Sequence, residues 1–254
     1  MPTALVVGAT RGLGHSLAKL YSEKEYKVFG TSRSPQSSVV NNGITWISGV
    51  DVAQKTAGNT IVDGLEGSKP DVTIISAGYF GKESFDEPDW EAEVKMYTTS
   101  AIGPVFIVHA LEKAGLFAKG SKIILISSES GSITLRHESE GGGNFAHHAS
   151  KSALNMVGKL LSLDLKDKGI AVALLHPGFM RSEMTKGVGF DKFWDAGGAV
   201  EPEVAAKSIL EWVDKFDIGR TGEYWAPRGP GDIGTAEAVL GPKDELPTPL
   251  QLPW

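Results

Sequence analysis

With 254 residues, of which 41% are hydrophobic and 22% charged, the chain is long enough to bury a core and has the composition of an ordinary globular protein. Its net charge of −6 and the lack of any run of lysines or arginines argue against a nucleic-acid partner. The chain has no cysteine, which excludes disulfides, thiol nucleophiles and cysteine–zinc sites.

Apolar runs that predict strands alternate with segments of helical periodicity along most of the chain. The first run begins at Ala4 with no signal peptide before it, and no run approaches the roughly 18 apolar residues of a membrane helix. We therefore expect a cytoplasmic protein with no membrane partner. The predicted strands cover 4–9, 26–32, 44–50, 71–78, 121–128 and 170–178.

The segments between these strands predict helices. After the first strand, Leu13, Leu17 and Tyr21 recur at helical spacing, and longer helices are predicted around 87–115 and 145–168. The apolar residues of the last segment form one stripe, made of Ala149, Ala153, Met156, Val157, Leu160 and Leu163.

The order of these elements predicts the fold class. Strands that are apolar throughout and separated by helices indicate a parallel sheet with helices on both faces. Right-handed crossovers then give an α/β, Rossmann-type doubly wound sheet, and residues 1–254 are predicted to form a single domain. From about Pro227 the chain contains six prolines, and we expect an extended tail that lies on the body or on a neighbouring subunit.

A glycine-rich loop follows the first predicted strand. The sequence VVGATRGLG, at 6–14, places three glycines between that strand and the next helix. Glycine permits a tight turn and the close approach of a pyrophosphate, to which the start of the helix presents free N–H groups. The loop is predicted to bind a dinucleotide through Gly8, Thr10, Arg11, Gly12, Leu13 and Gly14.

The end of the second predicted strand indicates which dinucleotide binds. An NAD site usually has a carboxylate there for the ribose diol, whereas this sequence reads GTSRS, with Ser32 and Arg33. A guanidinium can hold a 2′-phosphate through paired hydrogen bonds, and Arg11 could add a second positive charge. We predict NADP(H), with solvated surface arginines as the alternative.

Several further motifs, in a fixed order, cover nearly the whole chain. They are VDV at 50–52, ISAG at 75–78, SAIGP at 100–104, ISSESGSI at 126–133, HHASKSALNM at 147–156 and HPGFMRSEM at 176–184. With the glycine loop, they resemble the short-chain dehydrogenase/reductase family, in particular its C-factor-like and sniffer-like branch. The resemblance implies a homodimer or homotetramer formed through the helices around 87–115 and 145–168. It also implies cofactor contacts from Asp51, Val52, Ser76, Ala77, Gly78, Lys151, Pro177 and Gly178.

The active site of that family is a tetrad of asparagine, serine, tyrosine and lysine. Its lysine binds the nicotinamide ribose, its tyrosine exchanges a proton with the substrate oxygen and its serine fixes that oxygen. The resemblance assigns the serine to Ser128 and the lysine to Lys151. The tyrosine position holds His147 and the asparagine position holds Ser100, so two of the four members differ.

A histidine in the tyrosine position changes the expected proton chemistry. His147 is four residues before Lys151 on a predicted helix, so the two side chains share a face, and the ammonium should lower the histidine pKa. A neutral imidazole is a fair base but a poor acid. We therefore expect weakened proton donation during carbonyl reduction, a term typically worth about 10²–10⁴ in rate, and less harm to proton acceptance.

Apolar side chains after the strand ends predict the substrate side, because ligands of such sheets bind there. They are Tyr79, Phe80, Phe179, Met180, Phe193 and Trp194. Glycines at 187, 189, 197 and 198 bracket the last aromatic group, as in a movable lid. The predicted substrate is an apolar small molecule of an aromatic or polyketide-like kind. The alternative is that half of these aromatic and apolar side chains are core or subunit contacts.

Three functions stay open at the level of the sequence. The first is an NADP(H)-dependent oxidoreductase acting on a carbonyl or alcohol of a small molecule. The second is a non-redox isomerase, dehydratase, lyase or cyclase that uses His147 as base or hydrogen-bond donor. The third is an inactive NADP(H)-binding protein. A serine hydrolase is disfavoured because no G-x-S-x-G motif is present, and no metal site is expected because no H-x-x-x-H helix occurs.

Overall fold

Eight strands form one sheet within residues 1–35 and 43–254, which are the residues that the computed structural model describes. The strands are β1 (Thr3–Val7), β2 (Lys27–Thr31), β3 (Ile44–Ile47), β4 (Val72–Ile75), β5 (Lys122–Ile126), β6 (Ala171–Leu175), β7 (Glu223–Ala226) and β8 (Leu250–Gln251). Their order across the sheet is β3-β2-β1-β4-β5-β6-β7-β8, and every neighbouring pair is parallel except β7 and β8. The predicted doubly wound α/β class is confirmed.

The strands are shorter than the apolar runs that predict them. The predicted runs contain β2 to β6 and overlap β1, which begins one residue before its run. The residues that follow β4 and β6 leave the sheet to form turns at the edge where a ligand would bind. Sequence analysis missed β7 and β8. β7 has only four residues and alternates buried with half-buried positions, and β8 has two residues, so neither gives a usable periodic pattern.

Helices cover both faces of the sheet. They are α1 (Gly12–Glu23), α2 (Ala57–Gly64), α3 (Trp90–Tyr97), α4 (Gly103–Lys113), α5 (Phe145–Lys166), α6 (Glu183–Gly187), α7 (Pro202–Lys215) and α8 (Ala236–Leu240). Successive strand residues point to opposite faces. Leu5 lies in the cluster that includes Ile107 of α4, while Val6 lies in the cluster that includes Tyr21 of α1 and Val213 of α7.

The helical segment predicted around 87–115 is interrupted. A π-helical turn at Thr98–Ile102 separates α3 from α4, and a proline lies in the first turn of α4. A π-helical turn widens the helix by one residue and often lies beside a functional site. The interruption therefore changes which side chains of this segment face the sheet edge.

The apolar stripe of α5 lies on the outer surface and not in the core. Met156, Leu160 and Leu163 are 60%, 52% and 61% exposed. The buried side of the helix instead carries small, apolar and polar residues, namely Ala146, Ser150, Leu154, Asn155, Gly158, Ser162 and Leu165. Phe106 of α4 is likewise 47% exposed.

The proline-rich segment after Pro227 lies on the body but is not extended throughout. It contains α8 and short 3-10 turns, and its strand β8 pairs with β7. The ring of Trp254 stacks on that of Tyr224 with 5.7 Å between centroids. In the described ranges, no helix has the length and apolar character needed to span a membrane.

Candidate active site

One cavity of about 970 Å³ runs along the carboxyl ends of the strands. It begins beside the glycine loop between β1 and α1, where the chain order reverses between β1 and β4, and ends among aromatic side chains. Ligands of doubly wound sheets bind at this switch point. All six predicted loop residues line the cavity: Gly8, Thr10, Arg11, Gly12, Leu13 and Gly14.

The glycine loop is shaped by backbone contacts that a side chain would block. Gly8 has a φ of 88°, and a Cβ there would lie 2.7 Å from the Cα of Ala77. A Cβ on Gly14 would lie 2.1 Å from the carbonyl oxygen of Gly8. No side chain caps the first turn of α1, so its N–H groups are available to an anion.

The end of β2 contributes two residues to the cavity wall. Ser32 is buried and its Oγ donates to the carbonyl oxygen of Ser34 at 2.7 Å. Arg33 is exposed and lines the cavity, as does Arg11. Neither arginine forms an ion pair with another described residue, so both guanidinium groups are free to meet an anion.

Most of the remaining predicted cofactor residues also line the cavity; they are Val52, Ser76, Ala77, Gly78, Lys151, Pro177 and Gly178. Asp51 does not. Its Oδ1 accepts a hydrogen bond from the backbone N–H of Ala53 at 3.1 Å, so this carboxylate stabilises the turn after β3. The cofactor contact predicted for Asp51 stays a prediction.

Ser128, His147 and Lys151 line the same cavity. Ser128 follows β5, and its Oγ accepts a hydrogen bond from the Ser130 N–H at 3.2 Å, which leaves its own proton free for a ligand. The Nζ of Lys151 donates to the carbonyl oxygen of Ile126 at 2.8 Å. A Cβ on Gly131 would lie 2.7 Å from the carbonyl carbon of Lys151, so this glycine lets the serine loop pack directly on α5.

The surroundings of His147 make its imidazole neutral near pH 7. Burial lowers its pKa to about 3, with smaller contributions from Lys151, His148 and Arg136. The predicted direction is confirmed, although burial and not Lys151 is the largest cause. The ring contacts that of Phe80 in a tilted arrangement, with 4.3 Å between centroids, and its Nδ1 is buried with no partner among the described residues. Burial also lowers the pKa of Lys151, to about 8.

Ser100, which occupies the asparagine position, is not part of the cavity wall. It is buried within the π-helical turn at Thr98–Ile102, and its neighbour Thr99 lines the cavity. The role predicted for Ser100 in the tetrad stays a prediction.

The far end of the cavity is aromatic, as predicted. Its walls include Tyr79, Phe80, Phe179, Met180 and Phe193. Phe190, between α6 and the following turn, lies edge-to-face with Phe80 at 5.6 Å between centroids. Trp194 does not line the cavity, because its Nε1 donates to Thr185 Oγ1 at 3.2 Å and its ring lies 5.8 Å from the Arg181 guanidinium.

Sequence reasoning missed several lining residues, including Lys95, Thr99, Glu129, Ser182, Asp232 and Lys243. Glu129 and Ser182 stand inside motifs that were read, but no pattern marks Asp232 or Lys243. The Glu129 carboxylate pairs with Arg136, and the Asp232 carboxylate pairs with Arg228. These acids therefore leave little net charge beside Ser128.

His176 links the backbone at Glu129 to the backbone at Asp232. Its Nδ1 accepts the Glu129 N–H at 2.9 Å, so Nε2 carries the proton and donates to the carbonyl oxygen of Asp232 at 3.2 Å. Burial lowers the pKa of His176 as well. With both ring nitrogens bonded to the backbone, His176 connects two segments of the cavity wall.

A model of the short chain dehydrogenase family matches residues 2–192. The 1-hydroxy-2-glutathionyl-2-methyl-3-butene dehydrogenase of Rhodococcus sp. (strain AD45) is 27% identical over 226 residues, which cover 88% of this chain and 96% of that protein. Among solved structures, the NADPH-bound carbonyl reductase from chicken fatty liver has a TM-score of 0.77 at 23% identity, over 89% of this chain and 92% of that chain.

A second solved structure, the carbonyl reductase Sniffer of D. melanogaster, has a TM-score of 0.75 at 22% identity and covers 100% of both chains. At these identities the solved structures establish a shared fold. The family match covers three quarters of the chain and includes the glycine loop, Ser128 and Lys151. The chain belongs to the short chain dehydrogenase family.

Proposed function

We propose that the protein is an NADP(H)-dependent oxidoreductase that interconverts a carbonyl and an alcohol on an apolar small molecule. The observation that carries this proposal is the single cavity that joins a dinucleotide loop to Ser128, His147 and Lys151 and then to aromatic side chains. The relatives support it, since they include a dehydrogenase and a carbonyl reductase solved with NADPH.

The residues present fit a phosphorylated dinucleotide. The uncapped start of α1, which lines the cavity beside the glycine loop, suits a pyrophosphate. Ser32, Arg33 and Arg11 would hold the 2′-phosphate, and Lys151 would hold the nicotinamide ribose. When bound, the cofactor supplies the hydride chemistry, while the side chains of this chain orient the substrate and manage its proton.

The substrate oxygen would lie between Ser128 and His147. The Ser128 hydroxyl has a free proton to donate to that oxygen, and His147 exchanges a hydrogen bond with it. Because the lowered pKa of His147 makes the imidazolium scarce, proton donation to a carbonyl is weak. Alcohol oxidation and reduction of activated carbonyls are therefore the favoured reactions, and the Rhodococcus relative is itself a dehydrogenase of a hydroxy compound.

A homodimer or homotetramer is part of the proposal. Exposed apolar residues include Ile102 of the π-helical turn, Phe106 of α4, and Met156, Leu160 and Leu163 of α5. Exposed apolar side chains concentrated in this way are typical of a protein interface. Their position on the two helical segments named by the family resemblance supports assembly through these side chains.

The test supplies purified protein with NADPH and 4-nitrobenzaldehyde, or with NADP⁺ and 4-nitrobenzyl alcohol, and follows cofactor and substrate together. Equal loss of both is the expected result. The neutral imidazole of His147 also suits a non-redox lyase or isomerase, and substrate conversion without cofactor change would favour that function. Tight cofactor binding with no conversion across a panel of aldehydes and alcohols would instead indicate an inactive cofactor-binding protein.

A further inference from the structure

The loop between β4 and α3 makes two contacts with the start of α5. The Phe80 ring of this loop packs at a tilt against the ring of His147, with 4.3 Å between centroids. Three residues later, Glu83 Oε1 accepts a hydrogen bond from the backbone N–H of Ala146 at 2.6 Å. Ala146 immediately precedes His147, so both contacts act on the position of the same imidazole.

The start of α5 depends on this loop because its own sequence provides no cap. The N-cap residue, Asn144, has a φ of 49° and makes no side-chain capping bond, and glycines occupy 141–143. The carbonyl oxygen of Glu83 accepts the Asn144 N–H at 3.1 Å. Glu83 therefore supplies both a side-chain and a main-chain acceptor to the first turn of α5, where a negative charge also suits the helix dipole.

The hydrogen bond between Glu83 and Ala146 is buried. Glu83 is 6% exposed, and its Oε1 meets Ala146, which belongs to a small apolar cluster with Ala92 and Met96. Its second oxygen, Oε2, is buried; desolvation and the Glu83 carboxylate together raise the pKa of Glu93, so the two carboxyls are neighbours. Burying a carboxylate is unfavourable, and an apolar residue would fill this space at lower cost. What the carboxylate adds is the bond to Ala146.

We propose that Glu83 is a positioning residue for His147. Its carboxylate closes the first turn of α5 and, together with the Phe80 ring, fixes the imidazole in the cavity wall beside Lys151. The inference rests on the proposed participation of His147 in the reaction. Glu83 itself does not line the cavity, so it acts through the helix and not on the substrate.

The experiment compares Glu83→Met, which keeps the size but removes the acceptor, with Glu83→Gln, which keeps an acceptor for Ala146. Glu87→Gln, an exposed glutamate of the same loop, is the matched control. The NMR chemical shifts of the His147 ring protons report contact with the Phe80 ring, because the ring current of a nearby aromatic side chain displaces those signals. Turnover of 4-nitrobenzaldehyde, KM for NADPH and Tm are measured on the same samples.

We expect Glu83→Met to lose the displaced His147 signals and to lower kcat by about tenfold to hundredfold, with KM for NADPH nearly unchanged. Glu83→Gln and Glu87→Gln should resemble the wild type in both measurements. A purely structural role would lower Tm in Glu83→Met while leaving the His147 signals and kcat in place, and that result would overturn the proposal. Equal losses in Glu83→Gln and Glu83→Met would overturn it too.

A second variant and a measurement that needs no turnover complete the experiment. If Glu83→Met does not fold, Glu83→Asp, which withdraws the carboxylate by one methylene, should show a partial loss of the same signals, and wild-type signals would refute the idea. The NMR measurement needs no turnover. A protein that converts no substrate but shows the Glu83-dependent shift would contradict the proposed function and leave the positioning role intact.

Discussion

A phenol and an imidazole respond in opposite ways to the lysine that follows them on α5. The positive charge of Lys151 would favour a phenolate and so make a phenol a better acid, but it disfavours the imidazolium. Burial acts in the same direction on His147 and is the larger effect. At the scale of one residue, the substitution therefore moves the site away from proton donation while keeping a hydrogen-bonding group in place.

Restoring the phenol should restore the acid. His147→Tyr is expected to raise kcat for 4-nitrobenzaldehyde reduction by about 10²-fold, near the lower end of what general acid catalysis contributes. Stopped-flow or steady-state assays with NADPH measure the change. His148→Tyr, one position further along the same helix, is the control and should give no gain. An unchanged rate in His147→Tyr would contradict the proton-donor argument.

At the scale of one residue, the proposed preference for NADPH over NADH depends on Arg33. Removing its guanidinium in Arg33→Ala should weaken NADPH binding by about tenfold, because a charge-assisted hydrogen bond to an exposed phosphate is worth roughly 1.5 kcal/mol. NADH affinity should stay the same, since NADH has no 2′-phosphate. Fluorescence titration with both cofactors measures this. Lys19→Ala removes a positive charge on the outside of α1 and should change neither affinity; an equal loss for NADPH and NADH in Arg33→Ala would refute the assignment.

The helix α5 shows what periodicity can and cannot predict at the scale of an element. The spacing of apolar residues predicted the helix and the residues that share a face, yet that face lies outside. The inner side uses polar groups that bond to the serine loop: Ser127 Oγ donates to Asn155 Oδ1 at 2.6 Å, and Asn155 Nδ2 donates to the Gly131 carbonyl at 3.2 Å. Hydrophobicity alone reads such a polar contact surface as solvent-facing, so the periodicity does not decide which side of α5 packs on the body of the protein.

An outward apolar stripe predicts an assembly that a charge should disrupt. Leu160→Glu places a carboxylate at the centre of the α5 stripe and should convert a dimer or tetramer to smaller species, because an apolar interface gives that charge no partner. Light scattering after size-exclusion chromatography measures the mass. Lys166→Glu, an exposed position at the end of the same helix, should leave the mass unchanged. A wild-type chain that is monomeric throughout would contradict the proposed assembly.

The whole molecule sets the limit of the sequence predictions. Residues that follow parallel strands, such as Ser128 and Gly178, were placed correctly because every such strand ends at the same edge of the sheet. Asp232 and Lys243 could not be placed, since their segment reaches the cavity only after β7 has joined the sheet. Phe193 and Trp194 show the same limit locally, because only the fold decides which of two adjacent aromatic rings faces the cavity.

The buried His147 should also make the stability of the whole fold sensitive to acid. Its pKa is about 3 in the folded chain against 6.5 for a free histidine, so between these values the unfolded chain binds a proton that the folded chain does not. Stability therefore falls as the pH drops below 6.5. Between pH 7 and pH 5 this one group should cost up to about 2 kcal/mol of unfolding free energy.

Urea unfolding at pH 7 and pH 5 measures that cost, and His147→Gln isolates it by removing the titrating group. We expect His147→Gln to lose less stability than the wild type between the two pH values. His109→Gln, which alters an exposed histidine of α4, should lose as much as the wild type. His176, also buried with a lowered pKa, contributes alike to all three proteins and cancels from the comparison. Equal losses in the wild type and His147→Gln would mean that the imidazole is solvated and free to charge, which would also remove the physical basis for its weak acidity in the site.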